Sequence, residues 1–288
     1  MAEMNASTPE WQNEMTEIAK LNKRCAIWHF TLATACLTSS FVYEDSKTLT
    51  VPVTSQIPSW DAGYPVVVKE RLGEFNLIRA ASLFSYLAAI DHAACLWWRD
   101  HYEAQLRRSC NRYRWYEYSV SSSLILVLLY MSWGNFDFGT LGGCFVLNWC
   151  MIMFGDLMEQ LNKGKVMKDV KWTPFFYGWL CGLVPWVVKW TRIFNDVNRE
   201  YFPWYAWWWV IGYQFFFFTF PFNMLMYYWQ VGRWDNSKYK GVENGGFLHA
   251  EKVYCYMSLS IKTILLLLCA GAVVDPNVQV YKTVGADY

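Results

Sequence analysis

Long apolar runs separated by short polar stretches dominate the chain. Seven runs are long enough to cross about 30 Å of hydrocarbon as helices of about 20 residues. They cover residues 21–43, 74–98, 113–133, 138–161, 172–190, 203–232 and 246–274. The pattern predicts an all-α membrane protein, a bundle of seven transmembrane helices.

The longest interval between two runs, residues 44–73, contains two β-prone pieces. These are residues 48–53 and 64–69, and Pro58, Asp61 and Gly63 form a turn signal between them. This arrangement predicts a two-stranded hairpin. Because an isolated hairpin is only marginally stable, we expect it to pack on the helices or on a partner subunit.

The composition supports a membrane location. Of the 288 residues, 55% are hydrophobic and only 17% are charged. Mean hydropathy is only +0.08 because the 18 Trp and 19 Tyr count as polar, although both favour membrane interfaces. The net charge of +1 gives no indication of nucleic-acid binding, and membrane lipids are the expected surroundings.

The distribution of Lys and Arg predicts the orientation. If the N-terminus is cytoplasmic, 16 of the 25 Lys and Arg residues fall in cytoplasmic segments, as the positive-inside rule requires. An odd number of spans then places the C-terminus outside. We therefore divide the chain into a cytoplasmic segment (1–20), a seven-helix domain (21–274) whose 44–73 loop is extracellular, and an extracellular tail (275–288). The first twenty residues lack the features of a signal peptide, so no processing is expected.

Metal and disulfide sites are not expected. The nine cysteines lie in or beside apolar runs without Cys-x-x-Cys or Cys/His spacing. His29, His92 and Glu117 could in principle bind zinc, but they lie on three separate predicted helices without carboxylates to support them. We therefore predict that the protein is not an enzyme.

One lysine, Lys262, lies in the middle of the last apolar run. A charged group at this depth costs roughly 3 kcal/mol unless it is neutralised or bonded. Two interpretations remain open: the amine faces a wet cavity or an ion-pair partner, or it is condensed with an aldehyde cofactor. Glu117, the only carboxylate within the third predicted helix, is the expected partner.

Other polar residues are expected in the same half of the bundle. His29 and His92 each lie about two turns or less from the predicted cytoplasmic end, and Arg114 precedes Glu117 by three residues. Each has a structural alternative: the histidines could bond to neighbouring hydroxyls, and Arg114 could form an ion pair at a helix end. The serines near residues 119–123 could serve only close helix packing.

Taken together, these residues resemble one family. Seven spans with a lysine in the last, the sequence RWYEYSVSSS of residues 114–123, the sequence SLSIK of residues 258–262, His29 and His92 are similar to the heliorhodopsins. That family has a rhodopsin-like fold with an inverted orientation, N-terminus inside, which the charge distribution predicts independently. It also has a long first extracellular loop with β-structure that takes part in dimer contacts.

The resemblance implies roles for individual residues. Lys262 would carry all-trans retinal as a protonated Schiff base, with Glu117 as its counterion. Ser121 and Ser258 would adjust the hydrogen bonding of the Schiff base. His29, His92 and Arg114 would form a polar cavity for the proton. Residues of the aromatic sixth run, Trp208, Phe217 and Phe218, are expected to flank the polyene.

The function expected from this resemblance is light sensing with a slow photocycle. Proton-pumping rhodopsins carry a second carboxylate about three turns beyond the counterion, where this chain has Leu128, so no active pumping is expected. A homodimer and an unidentified cytoplasmic signalling partner are further expectations. The alternative is a light-gated passive ion (proton) conductance, with Glu159, Asp196 and Glu200 at its mouths. A hormone-type receptor fits less well because it would place its N-terminus outside.

Overall fold

The computed structural model of the chain describes residues 8–43, 50–60, 63–195 and 204–274. These ranges contain one hairpin and eight α-helices, seven long and one short. The elements are α1 (Pro9–Val42), β1 (Thr50–Ser59), β2 (Val66–Asn76), α2 (Leu77–Trp97), α3 (Arg99–Leu106), α4 (Arg112–Met131), α5 (Phe138–Leu161), α6 (Thr173–Asn195), α7 (Trp204–Tyr228) and α8 (Gly245–Val274). The seven-helix bundle with a hairpin is confirmed. We call its two ends the hairpin end and the opposite end, where α1 and α8 begin.

The long helices pack around one another in nearly sequential order. Helix α1 contacts α2, α2 contacts α4, α4 contacts α5, α5 contacts α6, and α7 contacts α8. Helix α8 also contacts α1 and α2. One apolar cluster lies at the hairpin end around Leu126, Leu128 and Tyr130, and another lies at the opposite end around Trp11 and Tyr102. The polar residues near Glu117 and Lys262 lie between the two clusters.

Three helices in the described residues, α1, α5 and α8, are long and apolar enough by length and hydropathy alone to cross a membrane. The other long helices have a lower mean hydropathy, and their residues explain why. Helices α2 and α4 carry charged side chains, and α6 and α7 are rich in Trp and Tyr, which hydropathy scales count as polar. The Trp and Tyr residues of α6 and α7, rather than a lack of apolar surface, explain the lower mean hydropathy of these two helices.

Helix α1 begins at Pro9, twelve residues earlier than the predicted span. Thr8 is its N-cap and accepts a hydrogen bond from the backbone N–H of Trp11 at 3.1 Å, and Pro9 occupies the first helical turn. Trp11, Met15 and Ile18 recur at helical spacing and are buried in the cluster at the opposite end. Residues 9–20 are therefore part of the first helix of the bundle.

The hairpin is longer than predicted and docks on the helices. The strands pair antiparallel from Thr50 with Asn76 to Ser59 with Val66, with an irregularity between Val53 and Thr54. The backbone N–H of Thr54 donates to the carbonyl of Phe136 at 2.9 Å in the turn between α4 and α5. The second predicted span began at residue 74, but residues up to Asn76 belong to β2.

A buried lysine outside the central layer holds α6 against the end of α4. Lys189 is 0% exposed, and its Nζ donates to the carbonyl oxygen of Leu129 at 3.1 Å. The ammonium also lies 5.2 Å from the ring centroid of Tyr130 and 5.1 Å from that of Trp133. The carbonyl end of a helix carries partial negative charge, and aromatic faces attract cations. Lys189 thus caps α4 without needing a carboxylate.

Candidate functional site

The centre of the bundle contains a buried ion pair between α8 and α4. Lys262 is 3% exposed and Glu117 is 9% exposed. The Lys262 Nζ donates to both carboxylate oxygens of Glu117, at 2.7 Å and 2.8 Å. The structure therefore brings together the two residues that the sequence analysis paired. An ion pair with a purely structural role would have the same geometry. The chemistry open to the amine must therefore be inferred from its surroundings.

The amine borders an apolar cavity. Lys262 and Ser258 on α8 line it together with residues of α4, α5, α6 and α7. The space free of protein atoms is about 950 Å³, part of it open at the protein surface. The wall contains many aromatic rings, from Trp115, Tyr118, Phe154, Phe175, Trp179, Tyr213, Phe216, Phe217 and Phe220.

Three glycines shape the wall formed by α5 and α6. A Cβ on Gly155 would lie less than 3 Å from three atoms of the Trp115 ring. A Cβ on Gly178 would lie 3.2 Å from the Cβ of Phe154, and one on Gly182 would approach Met151. The rings and helices on this side pack as closely as they do because these positions carry no side chain.

Polar atoms in the wall are few. The hydroxyl of Ser121 is buried and has no hydrogen-bond partner among the described residues. Asn148 donates from Nδ2 to the hydroxyls of Ser122 at 2.8 Å and Ser123 at 3.0 Å. The cavity therefore suits a mainly apolar molecule, and the Lys262 amine, which Glu117 faces, and the free hydroxyl of Ser121 are among the few polar groups at its wall.

The aromatic residues chosen on α7 need correction. Phe217 lines the cavity as expected. Trp208 is 62% exposed and Phe218 is 41% exposed, and neither lines the cavity. Each is one residue from a buried ring, and one residue along a helix turns the side chain by about 100°. The helix instead presents a set at helical spacing: Tyr213, Phe216, Phe217, Phe220 and Met224.

His29 and His92 lie beside each other between α1 and α2. Their rings are parallel within 6°, with centroids 6.0 Å apart. His29 Nδ1 is 3.1 Å from the Ser85 hydroxyl, and His92 Nδ1 is 2.6 Å from Oδ1 of Asn22. Both are buried. The structural interpretation, histidines bonded to neighbouring polar groups, thus describes their contacts, although Nε2 of His29 lacks a partner among the described residues.

Arg114 does not contact the histidines, contrary to the expected grouping. It forms buried ion pairs with Glu159 on α5 and Glu251 on α8. Glu159, expected at the mouth of a conductance path, is buried in this cluster. Asp196 and Glu200, the other expected mouth residues, lie outside the described residues. A long side chain with two carboxylates within reach prefers the buried pairs because an unpaired charge there is costly.

Glu251 was missed by the sequence analysis. It accepts hydrogen bonds at Oε1 from the Tyr102 hydroxyl at 3.1 Å and from Asn111 Nδ2 at 2.6 Å. The backbone N–H of Asn111 donates to Glu159 Oε2 at 2.9 Å. A signal was present, since residues 251, 258 and 262 recur at intervals that place them on one face of α8. We call Arg114, Glu159 and Glu251 the arginine cluster.

Metal ligation finds no support in the part of the chain that the structure describes. No group of three or more His, Cys, Asp or Glu side chains there could hold a metal ion. The nine cysteines are all free thiols.

Comparisons with known proteins bear on the family and the fold of the chain. The family model described as Heliorhodopsin matches residues 18–273. The crystal structure of Exiguobacterium sibiricum rhodopsin resembles this chain with a TM-score of 0.54 at 14% identity, over 90% of this chain and 96% of that one. At this identity the likeness shows the fold alone. No curated protein sequence matches the chain.

Proposed function

Because the chain belongs to the heliorhodopsin family, and is thus a retinal-binding, light-sensing membrane protein, we propose that Lys262 carries all-trans retinal as a protonated Schiff base with Glu117 as its counterion. The observation that carries this proposal is the position of the Lys262 amine. It borders the aromatic cavity and lies 2.7 Å from the carboxylate of Glu117. Retinal, when bound, supplies visible absorption and a light-driven isomerisation.

The residues around the amine have distinct parts in this proposal. Glu117 stabilises positive charge at the lysine nitrogen, since an anion close to a cation in a low-dielectric site favours the charged form. Ser121 and Ser258 border the same space and adjust the hydrogen bonding near that nitrogen. Phe217 and the other rings exclude water from the rest of the ligand.

Reconstitution with retinal tests the assignment. Purified protein given all-trans retinal should become coloured, and illumination with hydroxylamine should remove the colour. Lys262→Ala should stay colourless. Lys189→Ala is the matched control, because Lys189 is also a buried lysine but does not border the cavity, and this variant should colour normally. Colour in the Lys262→Ala protein, stable to washing, would exclude covalent attachment at this position.

We further propose sensing with a slow photocycle and without active pumping. Beyond the serines at residues 119–123, α4 continues toward the hairpin end with buried apolar residues, among them Ile125, Leu126, Leu128 and Leu129. Within the described residues this half offers no carboxylate along α4 to receive a proton. At the opposite end, ion pairs hold the side chains of the arginine cluster together. A proton released near Lys262 therefore has few routes out of the bundle, and its return to the lysine nitrogen should be slow.

A light-gated passive conductance is the second candidate. The adjacent polar side chains of His29 and His92 favour it because they could form half of a proton path. The buried ion pairs of Arg114 oppose it because they obstruct the same half. Voltage-clamped cells expressing the protein decide between the two. Photocurrents that reverse with voltage support the conductance, and stationary currents near zero support the sensor.

Orientation and assembly complete the proposal. We place the N-terminus in the cytoplasm, the C-terminus outside, and the hairpin on the extracellular surface of a homodimer, with an unidentified signalling partner on the cytoplasmic side. The excess of Lys and Arg at the opposite end supports this orientation. Exposed apolar residues on the hairpin, Ile57, Val67 and Leu72, support the dimer. Protease sites inserted at each terminus of protein in intact cells test the orientation.

A further inference from the structure

Two ion pairs of opposite polarity join α4 to α8. In one, the cation Lys262 belongs to α8 and the anion Glu117 to α4. In the other, the cation Arg114 belongs to α4 and the anion Glu251 to α8. Arg114 also pairs with Glu159 on α5, so it has two carboxylates to choose between. The arginine cluster can therefore keep one pair while it releases the other.

Aromatic side chains fill the space between the two pairs. The guanidinium carbon of Arg114 lies 4.1 Å from the ring centroid of Tyr254 and 5.0 Å from that of Trp115. The Trp115 and Tyr254 rings meet edge to face, with centroids 6.2 Å apart. The Tyr118 hydroxyl donates to the backbone carbonyl of Tyr254 at 3.2 Å, and the Tyr118 ring lies 5.1 Å from Lys262 Nζ.

Trp115 has contacts on two sides among these aromatic residues. It lines the ligand cavity, and its ring also faces Arg114. It is held closely, because the space beside its ring is available only where Gly155 lacks a Cβ. Tyr118 lines the cavity too, but its hydroxyl bonds to the Tyr254 carbonyl and its ring packs on Phe220 and faces Lys262, whereas the Trp115 ring faces the guanidinium directly.

We propose that Trp115 is a positioning residue that transmits movement of the bound ligand to the arginine cluster, and through Glu251 to Tyr102 on α3. This proposal rests on the proposed function, since it needs a ligand that changes shape in light. Closely packed interiors transmit displacement, so the Trp115 ring, which borders the cavity and lies against Gly155, would pass a push from a bound ligand to its other neighbour. That neighbour is Arg114, whose two alternative pairs form the two-state element that such coupling requires.

The consequence appears at the surface of the opposite end. Glu251 binds Tyr102 of α3 and Asn111, the N-cap of α4. If Arg114 shifts from Glu251 toward Glu159, the carboxylate of Glu251 keeps these two neutral donors and loses its cation. Its hydrogen bonding to α3 must then strengthen or rearrange. The short helix α3 is therefore where the light-induced change reaches water.

Light-minus-dark infrared spectroscopy of the retinal-loaded protein tests the proposal. Carboxylate bands that vanish in Glu251→Gln or Glu159→Gln report on the arginine cluster, and ethylenic bands of retinal report on the ligand. In Trp115→Phe the cluster bands, measured relative to the retinal bands, should fall roughly threefold or more. Trp179→Phe is the matched control, because Trp179 lines the cavity but its ring packs on Phe217 and Phe218. This control should shift the absorption maximum and keep the band ratio.

Gly155→Ala provides a second test with Trp115 in place. The added methyl group collides with the indole and should alter the same band ratio, which keeps the proposal testable if Trp115→Phe does not assemble. Cluster bands of full relative size in both variants would overturn the proposal. Absence of retinal bands in the wild-type protein would instead overturn the proposed function, so the two failures are distinguishable.

Discussion

Replacing Glu117 with glutamine removes the negative charge that faces the Lys262 amine while keeping the shape of the side chain. At a separation of 2.7 Å and an effective dielectric constant of about 20, the Coulomb energy of the pair is about 6 kcal/mol. Even a third of this, about 2 kcal/mol, corresponds to a roughly thirtyfold change in the ratio of protonated to unprotonated linkage. We therefore expect the lysine–retinal linkage to be protonated in a smaller fraction of Glu117→Gln molecules than of wild-type molecules.

Absorption spectroscopy measures this ratio directly, because a protonated retinal linkage absorbs in the visible and an unprotonated one in the near ultraviolet. At a mildly alkaline pH where the wild type is fully visible-absorbing, Glu117→Gln should show a near-ultraviolet band. Glu251→Gln is the matched control, since it removes a buried carboxylate that pairs with Arg114 rather than with Lys262. If Glu117→Gln kept the wild-type visible band at every pH tested, the assignment of Glu117 as counterion would be refuted.

Three further predictions concern stability. Lys189→Met removes the cation at the end of α4 and should lower the free energy of unfolding by about 1–2 kcal/mol without loss of colour, as measured by thermal unfolding of the loaded protein. Tyr102→Phe removes the hydrogen bond to Glu251 and should cost about 1.5–3 kcal/mol in the same assay. Asp137→Ala removes the N-cap of α5 and should cost about 1 kcal/mol at neutral pH. Since hydrogen bonds from Thr140, led by its backbone N–H, lower the pKa of Asp137, this difference should disappear as the pH falls below the usual carboxyl range.

Much of the architecture was predictable because membrane spans are set by length and apolar content. The fourth predicted span, residues 138–161, coincides with α5, since Asp137 is a strong N-cap signal and Asn162 follows the last turn. The Lys262–Glu117 pair was predictable for a related reason. A buried cation requires an anion, and the third helix contains only one carboxylate at a suitable depth.

Other features were missed or misplaced because a single sequence contains little information about them. The start of α1 was missed because the polar residues around Trp11 and Met15 obscured an apolar stripe only three turns long. Glu251 was missed because no local rule ranks carboxylates on different helices as partners for Arg114. Trp208 was misplaced because aromatic residues occur on every face of α7, so the sequence does not show which face points into the bundle.

The early start of α1 has a practical consequence. Its 34 residues make a rod of about 50 Å, whereas the hydrocarbon of a bilayer is only about 30 Å thick. About 20 Å of stiff helix therefore projects beyond the lipid, clamped on one side by Trp11 and Ile18 and presenting Asn13, Glu17 and Lys20 on the other. An engineered binder raised against that outer face would add a rigid fiducial to a small protein that detergent micelles otherwise conceal in electron micrographs.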